Sequence, residues 1–342
     1  MSNARPGGLL ILLAFVLLFP GVFSSPTVTT IAVFVLLYTG AATAWNIFAG
    51  YTGYIALGHA AFFGIGAYAF AIIAQRWNLP GDYALFLLVP VAGLIAGLFA
   101  LPIGWVALRT RRHTFVVITI AIFFIAQLMA YNLTGLTSGS AGMSLPIPPW
   151  TGAFFNVPYY YAALIVTLLA LLASWWVRHS KYGLGLLAIR DDEDRALGLG
   201  VPVRWFKLSA FAISAIFVGM MGAIFGYFEG SIYPPFVFDA NFDVAVALMA
   251  FMGGIGTLSG PILGAVIIAS AQQLFALYGG ASGYYLVLYG ALFLVVILLL
   301  PQGIIPTVSH HRSKWVPNWR KPARVDPVAD DAFSLERKSA KR

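Results

Sequence analysis

Apolar segments long enough to cross a lipid bilayer follow one another along nearly the whole chain. The 342 residues are 60% hydrophobic and only 9% charged, and the mean hydropathy is +0.87. A soluble domain carries about 25% charged residues, so this composition cannot cover a water-exposed surface. We therefore predict an all-α polytopic integral membrane protein with one integral domain.

The apolar windows predict ten transmembrane helices with approximate boundaries. They are 8–24, 28–49, 59–75, 83–107, 114–133, 159–177, 208–228, 242–258, 260–278 and 284–300. The first window could be a signal peptide, but its length and the poor cleavage site around Ser24 favour a span. With the N-terminus inside, 19 of the 20 Lys and Arg residues fall on one side, and Arg76 is the exception. The positive-inside rule then predicts an N-in/C-in topology.

Several function classes are disfavoured by what the sequence lacks. The chain has no cysteine, which excludes disulfides and thiolate metal sites. It has no GxxxxGK[ST] motif, so we predict no ATP hydrolysis by this chain, no catalytic residues, no metal and no cofactor. No charged residue falls near the middle of a predicted span, because we place Asp243 outside the membrane. This pattern argues against ion coupling without excluding it.

Four mildly polar residues lie within the predicted spans: Asn46, Thr119, Gln127 and Ser214. Such side chains in membrane helices more often hydrogen-bond a neighbouring helix than contact a substrate. We therefore interpret all four as structural. The net charge of +8 follows from the sidedness of the basic residues and predicts no nucleic-acid partner.

One short segment, 178–207, is strongly charged and lies between two apolar spans. It holds ten of the chain's 20 Lys/Arg and 12 Asp/Glu residues. We predict a short helix near 190–200, capped by Asp191 or Asp192 and ended by Gly198 and Gly200. An amphipathic helix of this kind suits a groove on a soluble partner, although an ordinary solvated loop helix has the same pattern.

Two glycine-dense stretches, 50–68 and 253–265, mark the two halves of the chain. Glycine in membrane helices permits close helix packing, and interrupted segments in both halves of a chain also indicate a transport pathway. The residues alone leave both interpretations open. Our candidate pathway residues are Gly58, His59, Phe62, Gly64, Gly66, Gly253, Gly254 and Gly256. We place His59 at the inner end of a span, where it either hydrogen-bonds a loop or takes part in gating.

The segment 308–342 differs from the rest of the chain. It is rich in Pro, Asp, Lys and Arg and has little apolar periodicity, which predicts a basic, disordered cytoplasmic tail. We therefore divide the chain into a membrane domain, 1–307, and this tail. Its early basic residues either lie on anionic membrane lipid or belong to a solvated tail.

Four ordered motifs between about residues 30 and 305 resemble the permeases of branched-chain amino acid ABC transporters, and within them the LivM-type subunit. The first begins at Asn46 and continues through Gly50-Tyr51-x-Gly53 to Leu57-Gly58-His59-Ala60-Ala61-Phe62-x-Gly64-Ile65-Gly66-Ala67-Tyr68. The others are Ala188-Ile189-Arg190-Asp191-Asp192-Glu193 with Ala196, Gly200-Val201 and Lys207-Leu208, then Gly253-Gly254-x-Gly256-Thr257-Leu258-x-Gly260-Pro261, and Pro301-Gln302-Gly303. The sequence departs from the family at Ala56, commonly Ser, and at Arg195, commonly Ala.

The resemblance implies a permease subunit of an importer in the bacterial inner membrane. A second permease subunit would complete a heterodimeric channel, two separate ATPase subunits would drive it, and a periplasmic or lipid-anchored binding protein would deliver the substrate. The helix near 190–200 would couple to the ATPase through Arg190, Asp191, Asp192, Glu193, Arg195, Ala196 and Gly200. Related systems carry other small solutes, such as urea, amides or aromatic acids. A stand-alone secondary carrier is the alternative from another class.

Overall fold

The structure is a computed structural model that describes residues 6–23, 25–278, 290–291, 294 and 303–307. The chain divides into one unit up to Ile305 and a second from Pro306, and the elements below belong to the first. Apart from residues 290–291 and 294, the predicted tenth span, 284–300, lies outside the described residues. So does the predicted tail, 308–342.

The described part of the chain is almost entirely helical. Its α-helices are α1 Pro6–Val22, α2 Pro26–Trp45, α3 His59–Arg76, α4 Leu88–Ala107, α5 Arg112–Asn132, α6 Thr134–Thr137, α7 Val157–His179, α8 Lys181–Asp191, α9 Glu193–Gly198, α10 Val203–Glu229, α11 Pro234–Val237, α12 Ala240–Gly253 and α13 Gly260–Tyr278. Two short strands, β1 Met143–Ser144 and β2 Ser231–Ile232, pair antiparallel. A π-helical turn, Asn46–Gly50, extends α2. The predicted all-α class is confirmed.

Seven segments of the described chain are long and apolar enough to cross a membrane. They are Pro26–Gly50, Tyr83–Ala107, Arg112–Asn132, Val157–His179, Val203–Glu229, Pro234–Gly253 and Gly260–Leu277. The chain is therefore a multi-pass membrane protein, whereas the number of ten spans stays a prediction. Helix α3 coincides with the third predicted span but is not among the seven. Most of its side chains are buried against other helices, so protein rather than lipid surrounds it.

Helix α10 is the central element, and it packs against α2, α3 and α4. It begins after Pro202 and ends at Gly230, whose φ of 72° is the left-handed conformation that commonly stops a helix. Its glycines allow close approach of α3. A Cβ on Gly66 would lie 2.1 Å from the carbonyl oxygen of Gly219, a distance that only glycine permits. Small residues thus replace the hydrophobic drive that helices lack in lipid.

Helix α10 spans about 40 Å at 1.5 Å per residue, and different elements lie at its two ends. At its start lie α8 and α9, which follow the C-terminus of α7; we call this the α9 end. At its finish lies β2, where Ile232 pairs with Met143 of β1; we call this the β end. The two ends organise the sites described below.

Candidate functional site

The predicted docking segment folds as two helices rather than one. Helix α8 ends at Asp191 and the six-residue α9 begins at Glu193. The side chain of Asp192 caps α9 by accepting a hydrogen bond from the backbone N–H of Arg195 at 3.0 Å. Glu193 and Asp194 occupy the first turn, where negative charge is favoured. Helix α9, with its cap at Asp192, confirms the short helix predicted near 190–200, and Asp192 is one of the two predicted caps. The preceding helix α8 was not predicted.

Glu193 turns away from solvent and anchors α9 to the bundle. Its carboxylate accepts a hydrogen bond from the Tyr54 hydroxyl. It also forms an ion pair with Lys207, whose Nζ lies 2.5 Å from Glu193 Oε1. Lys207 is buried with 3% exposure, and its Nζ also lies 3.2 Å from the Tyr54 hydroxyl oxygen. Burial, reinforced by the neighbouring carboxylate, raises the pKa of Tyr54, which keeps this hydroxyl a donor. We call these three residues the anchor cluster.

Two arginines join the same end of the bundle to both glycine stretches. Arg190 Nη1 donates to the carbonyl oxygen of Gly50 at 2.8 Å. Arg178 Nη1 donates to the carbonyl oxygen of Gly256 at 2.6 Å. A Cβ on Gly256 would lie 2.3 Å from Arg190 Nη1, so this guanidinium packs directly on the second glycine stretch. The charged segment therefore contacts both stretches through side chains rather than through α9 alone.

The two glycine stretches also contact each other, although about 200 residues separate them. Asn46 accepts from the backbone N–H of Gly256 at 2.8 Å and donates to the carbonyl oxygen of Thr257 at 2.9 Å. A Cβ on Gly50 would lie 2.9 Å from the Gly256 nitrogen. Glycine at 256 is further required because its φ is 77°, which L side chains rarely adopt. Movement of either stretch must therefore move the other.

The seven predicted coupling residues divide into two groups. Arg190, Glu193 and Ala196 face inward, and Ala196 is 1% exposed. Asp191, Arg195 and Gly200 are exposed, and Asp192 is partly exposed. Leu197 and Leu199 complete the exposed face with 62% and 83% exposure, and we call this face, with Asp194, the outer face of α9.

Sequence reasoning missed the inward contacts of the charged segment. It did not predict the burial of Lys207, which lies in the anchor cluster. It did not single out Tyr54, Arg178 or Arg112, whose Nη2 donates to the carbonyl oxygen of Arg190 at 2.6 Å. The sequence signal for these inward contacts was that Lys207 is followed directly by a long apolar run.

The candidate pathway residues are buried, and their glycines stand at close contacts. A Cβ on Gly58 would lie 2.4 Å from the Thr119 carbonyl oxygen, and one on Gly64 would lie 2.3 Å from the Phe238 ring. A Cβ on Gly253 would lie 1.7 Å from the Gly260 carbonyl oxygen. Gly254 has a φ of 121°, and Phe62 packs edge-on against His59. These residues are therefore tightly packed in the bundle, and their role in a pathway stays a prediction.

The four polar residues within the spans have structural partners, as predicted. Besides the bonds of Asn46, Gln127 donates to the carbonyl oxygen of Phe238 at 2.8 Å. Thr119 accepts from the backbone N–H of Leu57 at 3.1 Å. Ser214 Oγ lies 2.8 Å from His59 Nε2. Each residue thus links its helix to a different element.

His59 and Asp243 lie deeper than their sequence positions indicated. His59 is fully buried and contacts Ser214, the twelfth of the 27 residues of α10. Asp243 is the tenth residue of the Pro234–Gly253 span, and its Oδ1 accepts from the backbone N–H of Ala60 at 3.0 Å. His59 is the first residue of α3, at a helix end as predicted, but it is buried within the bundle. Asp243 falls inside a candidate span, whereas we predicted it to lie outside the membrane. The N-terminus of α3 lies inside the bundle, where Asp243 satisfies one of its free amides.

Asp243 Oδ2 and His59 Nδ1 have no hydrogen-bond partner in the described part of the chain. No group of three or more His, Cys, Asp or Glu side chains among the described residues is placed to hold a metal. The hydrogen bonds and ion pairs at the α9 end link the helix to the bundle. They connect an exposed helix to two rigid, closely packed segments of the bundle.

The described chain is an apolar helical bundle with one charged helix anchored at its end, as expected of a multi-pass membrane protein. The sequence profile of the family described as branched-chain amino acid transport system / permease component matches residues 27–297. The chain belongs to this family.

Several relatives are similar over most of their length. The high-affinity branched-chain amino acid transport system permease protein LivM of Escherichia coli K12 is 28% identical over 87% of this chain and 74% of its own. LivM of Salmonella typhimurium is 27% identical over 81% and 69%. LivH of Escherichia coli K12 is 28% identical over 78% and 91%. No solved structure matches the chain.

Proposed function

We propose that this chain is a permease subunit of an ATP-binding cassette importer that moves branched-chain amino acids across the bacterial inner membrane. The family and the names of the LivM and LivH relatives support this substrate. The observation that carries the proposal is the outer face of α9. It exposes two leucines and several charges to solvent, while Glu193 fixes the same helix to the bundle.

In the proposed importer, two separate ATPase subunits bind the outer face of α9 on the cytoplasmic side. A second permease, related as LivH is to LivM, forms the channel with this chain, and a binding protein delivers the amino acid from the opposite side. Closure of the ATPases moves α9. The anchor cluster and Arg190 pass this movement to the two glycine stretches. A ligand that binds one state of the permease more tightly than the other shifts the equilibrium toward that state.

The translocation pathway is proposed to open along the glycine stretches, from Gly58 to Gly66 and from Gly253 to Gly256. Because these residues are tightly packed in the state described here, opening requires α3 and α12 to separate. The bond between Asp243 on α12 and the start of α3 is one contact that such a movement would break. The pathway is thus closed in this state.

An N-in/C-in topology with ten spans places the α9 end in the cytoplasm. We expect the cysteine of the variant Ile147→Cys, at the β end, to react with an impermeant thiol reagent added outside cells. We expect Leu199→Cys to react only after permeabilisation. Both sites are highly exposed, at 90% and 83%, and the chain has no other cysteine. Reaction of both variants from the same side would contradict this topology.

The docking role of α9 predicts a selective loss of the ATPase subunits. Leu197→Glu with Leu199→Glu should reduce retention of ATPase on the purified complex at least about tenfold, because buried apolar anchors at an interface contribute about 2 kcal/mol or more. The matched control is Ile147→Glu, the same kind of change on an exposed residue at the β end. Co-purification of the ATPase is the measurement. Equal retention in both variants would show that the outer face of α9 does not bind it.

A stand-alone secondary carrier is the rival proposal, and Asp243 is the observation that favours it. This carboxylate lies in the middle of a span, so the argument from missing intramembrane charge no longer holds. The two proposals differ in their energy source. Uptake into proteoliposomes that requires ATP and persists without an ion gradient supports the importer, whereas uptake driven by an ion gradient alone supports the carrier.

A further inference from the structure

A cavity of about 270 Å³ lies near the β end of the bundle, remote from α9. Residues of α2, α3, α10, α11, α12 and α13 line it together with the turn before α12. Its carboxylates, Glu229 and Asp239, belong to the last position of α10 and to the N-cap of α12. The cavity therefore lies at the end of α10 opposite the anchor cluster, on the face that the proposed topology turns outward.

Aromatic rings form most of the wall of this cavity. Phe63 and Phe242 have ring centroids 4.4 Å apart, and Phe225 lies 5.3 Å from Phe63. Tyr38 continues the wall at 5.6 Å from Phe242. Small-molecule sites are typically lined by apolar and aromatic side chains with a few convergent polar groups. This wall suits a branched aliphatic side chain, and its ring faces also attract a cation.

The charged groups that line the cavity are both carboxylates. Glu229 and Asp239 both line it, and no Lys, Arg or His of the described residues forms an ion pair with either of them. Asp239 uses Oδ1 to cap α12, accepting from the backbone N–H of Asn241 at 2.9 Å. Two carboxylates without a basic partner, beside aromatic rings, attract an ammonium group and repel a ligand with net negative charge.

Two glutamines on α13 supply further polar groups of the cavity. Gln272 and Gln273 both line it, and Gln272 Oε1 is buried without a hydrogen-bond partner in the described part of the chain. An amide offers both N–H donors and an oxygen acceptor, so it can bind a carboxylate as well as an ammonium group. A buried polar atom without a partner is costly, and a bound ligand would remove that cost.

We infer that this cavity is a substrate site for neutral aliphatic amino acids. Glu229, Asp239 and Gln272 Oε1 accept hydrogen bonds from the α-ammonium group, the side-chain N–H groups of Gln272 and Gln273 donate to the carboxylate, and the aromatic wall holds the branched side chain. The inference rests on the proposed function, because it assigns the cavity to the importer's own substrate. It adds a site within the permease, separate from that of the binding protein, at which a cationic group is recognised.

The test uses the complete importer in proteoliposomes with its binding protein. Glu229→Gln and Asp239→Asn, singly and together, remove the charges with little change of shape, and asparagine caps a helix as well as aspartate does. Asp82→Asn is the matched control. Asp82 likewise caps a helical turn, accepting from the N–H of Ala84 at 2.9 Å, and the Tyr227 hydroxyl near the end of α10 contacts its carbonyl oxygen, but it does not line the cavity.

Two readouts separate substrate recognition from a structural role. The first is leucine uptake at saturating binding protein, which should fall at least about tenfold in the double variant, corresponding to 1.4 kcal/mol. The second is inhibition of uptake by isopentylamine, which keeps the ammonium group and branched chain but has no carboxylate. Isopentylamine should inhibit the parent complex and the Asp82→Asn complex but not the double variant. The anion 4-methylpentanoate should inhibit none of them appreciably.

The outcomes distinguish this inference from the proposed function. If the double variant matches Asp82→Asn in uptake and in inhibition by isopentylamine, the cavity is not a substrate site. If the parent complex imports another solute but not leucine, the proposed substrate is wrong, and inhibition of that uptake by isopentylamine still tests the cavity. If the double variant fails to assemble, the two single variants carry the same comparison, each with a smaller expected effect.

Discussion

Replacing Lys207 with methionine is expected to release α9 from the bundle and to uncouple ATP hydrolysis from uptake. Lys207 is buried, and its removal leaves Glu193 without its cation. Breaking a fully buried ion pair costs about 3–5 kcal/mol. Because the Glu193 side chain is 33% exposed, we expect about 2 kcal/mol. The measurements are the thermal stability of the purified complex and hydrogen exchange of residues 190–200.

Three further variants make this prediction specific. Glu193→Gln removes the charge from the other side and should reproduce much of the effect. Arg195→Gln removes the ion pair with Asp192, whose side chains are 86% and 42% exposed, and should leave the thermal stability unchanged because exposed pairs contribute little. Exchanging Glu193 and Lys207 should recover part of the lost stability. Unchanged hydrogen exchange at 190–200 in Lys207→Met would contradict the anchoring role of Glu193.

The second large effect is expected at Gly253, where a single methyl group should prevent assembly. A Cβ there would lie 1.7 Å from the Gly260 carbonyl oxygen, and a backbone atom at that position cannot move aside as a side chain can. Overpacking of this kind costs at least about 1–3 kcal/mol. We expect Gly253→Ala to lower the yield and thermal stability of the complex.

The control for this prediction is Gly135→Ala, since Gly135 is an exposed glycine with no atom within 4 Å of the added Cβ. It should assemble as the parent chain does. Gly64→Leu should fail in the same way as Gly253→Ala, because the Phe238 ring occupies the space. If Gly253→Ala assembles with normal stability but loses uptake, its glycine serves the pathway rather than the packing.

Local pattern in the sequence predicted the helices well and their depth poorly. Windows of apolar residues predicted the positions of α2, α4, α5, α7 and α10, because a helix that crosses a bilayer needs a long run of apolar residues. The predicted window 242–258 put Asp243 at the edge of a span, whereas the candidate span Pro234–Gly253 contains it as the tenth residue. Its partner is the amide of Ala60, which is 183 residues away, and no local pattern contains that contact.

The candidate site shows the same division between local and distant information. Asp192 was predicted as a cap because a cap and its helix are adjacent in sequence. The inward direction of Glu193 was not predicted, because it depends on Tyr54, 139 residues before it. Sequence reasoning could also identify the two glycine stretches separately, whereas their contact through Asn46 and Gly256 required the folded chain.

The buried N-terminus of α3 has a consequence for how the protein is made. Ribosomes add about 5–20 residues per second, so the 183 positions between Ala60 and Asp243 take about 10–40 s to synthesise. During that interval the first turn of α3 has been translated, but its partner carboxylate has not. A free amide has no water partner in the hydrocarbon core. We therefore expect α3 to reach its final depth only after translation has passed α12, which makes its insertion a late step of biogenesis.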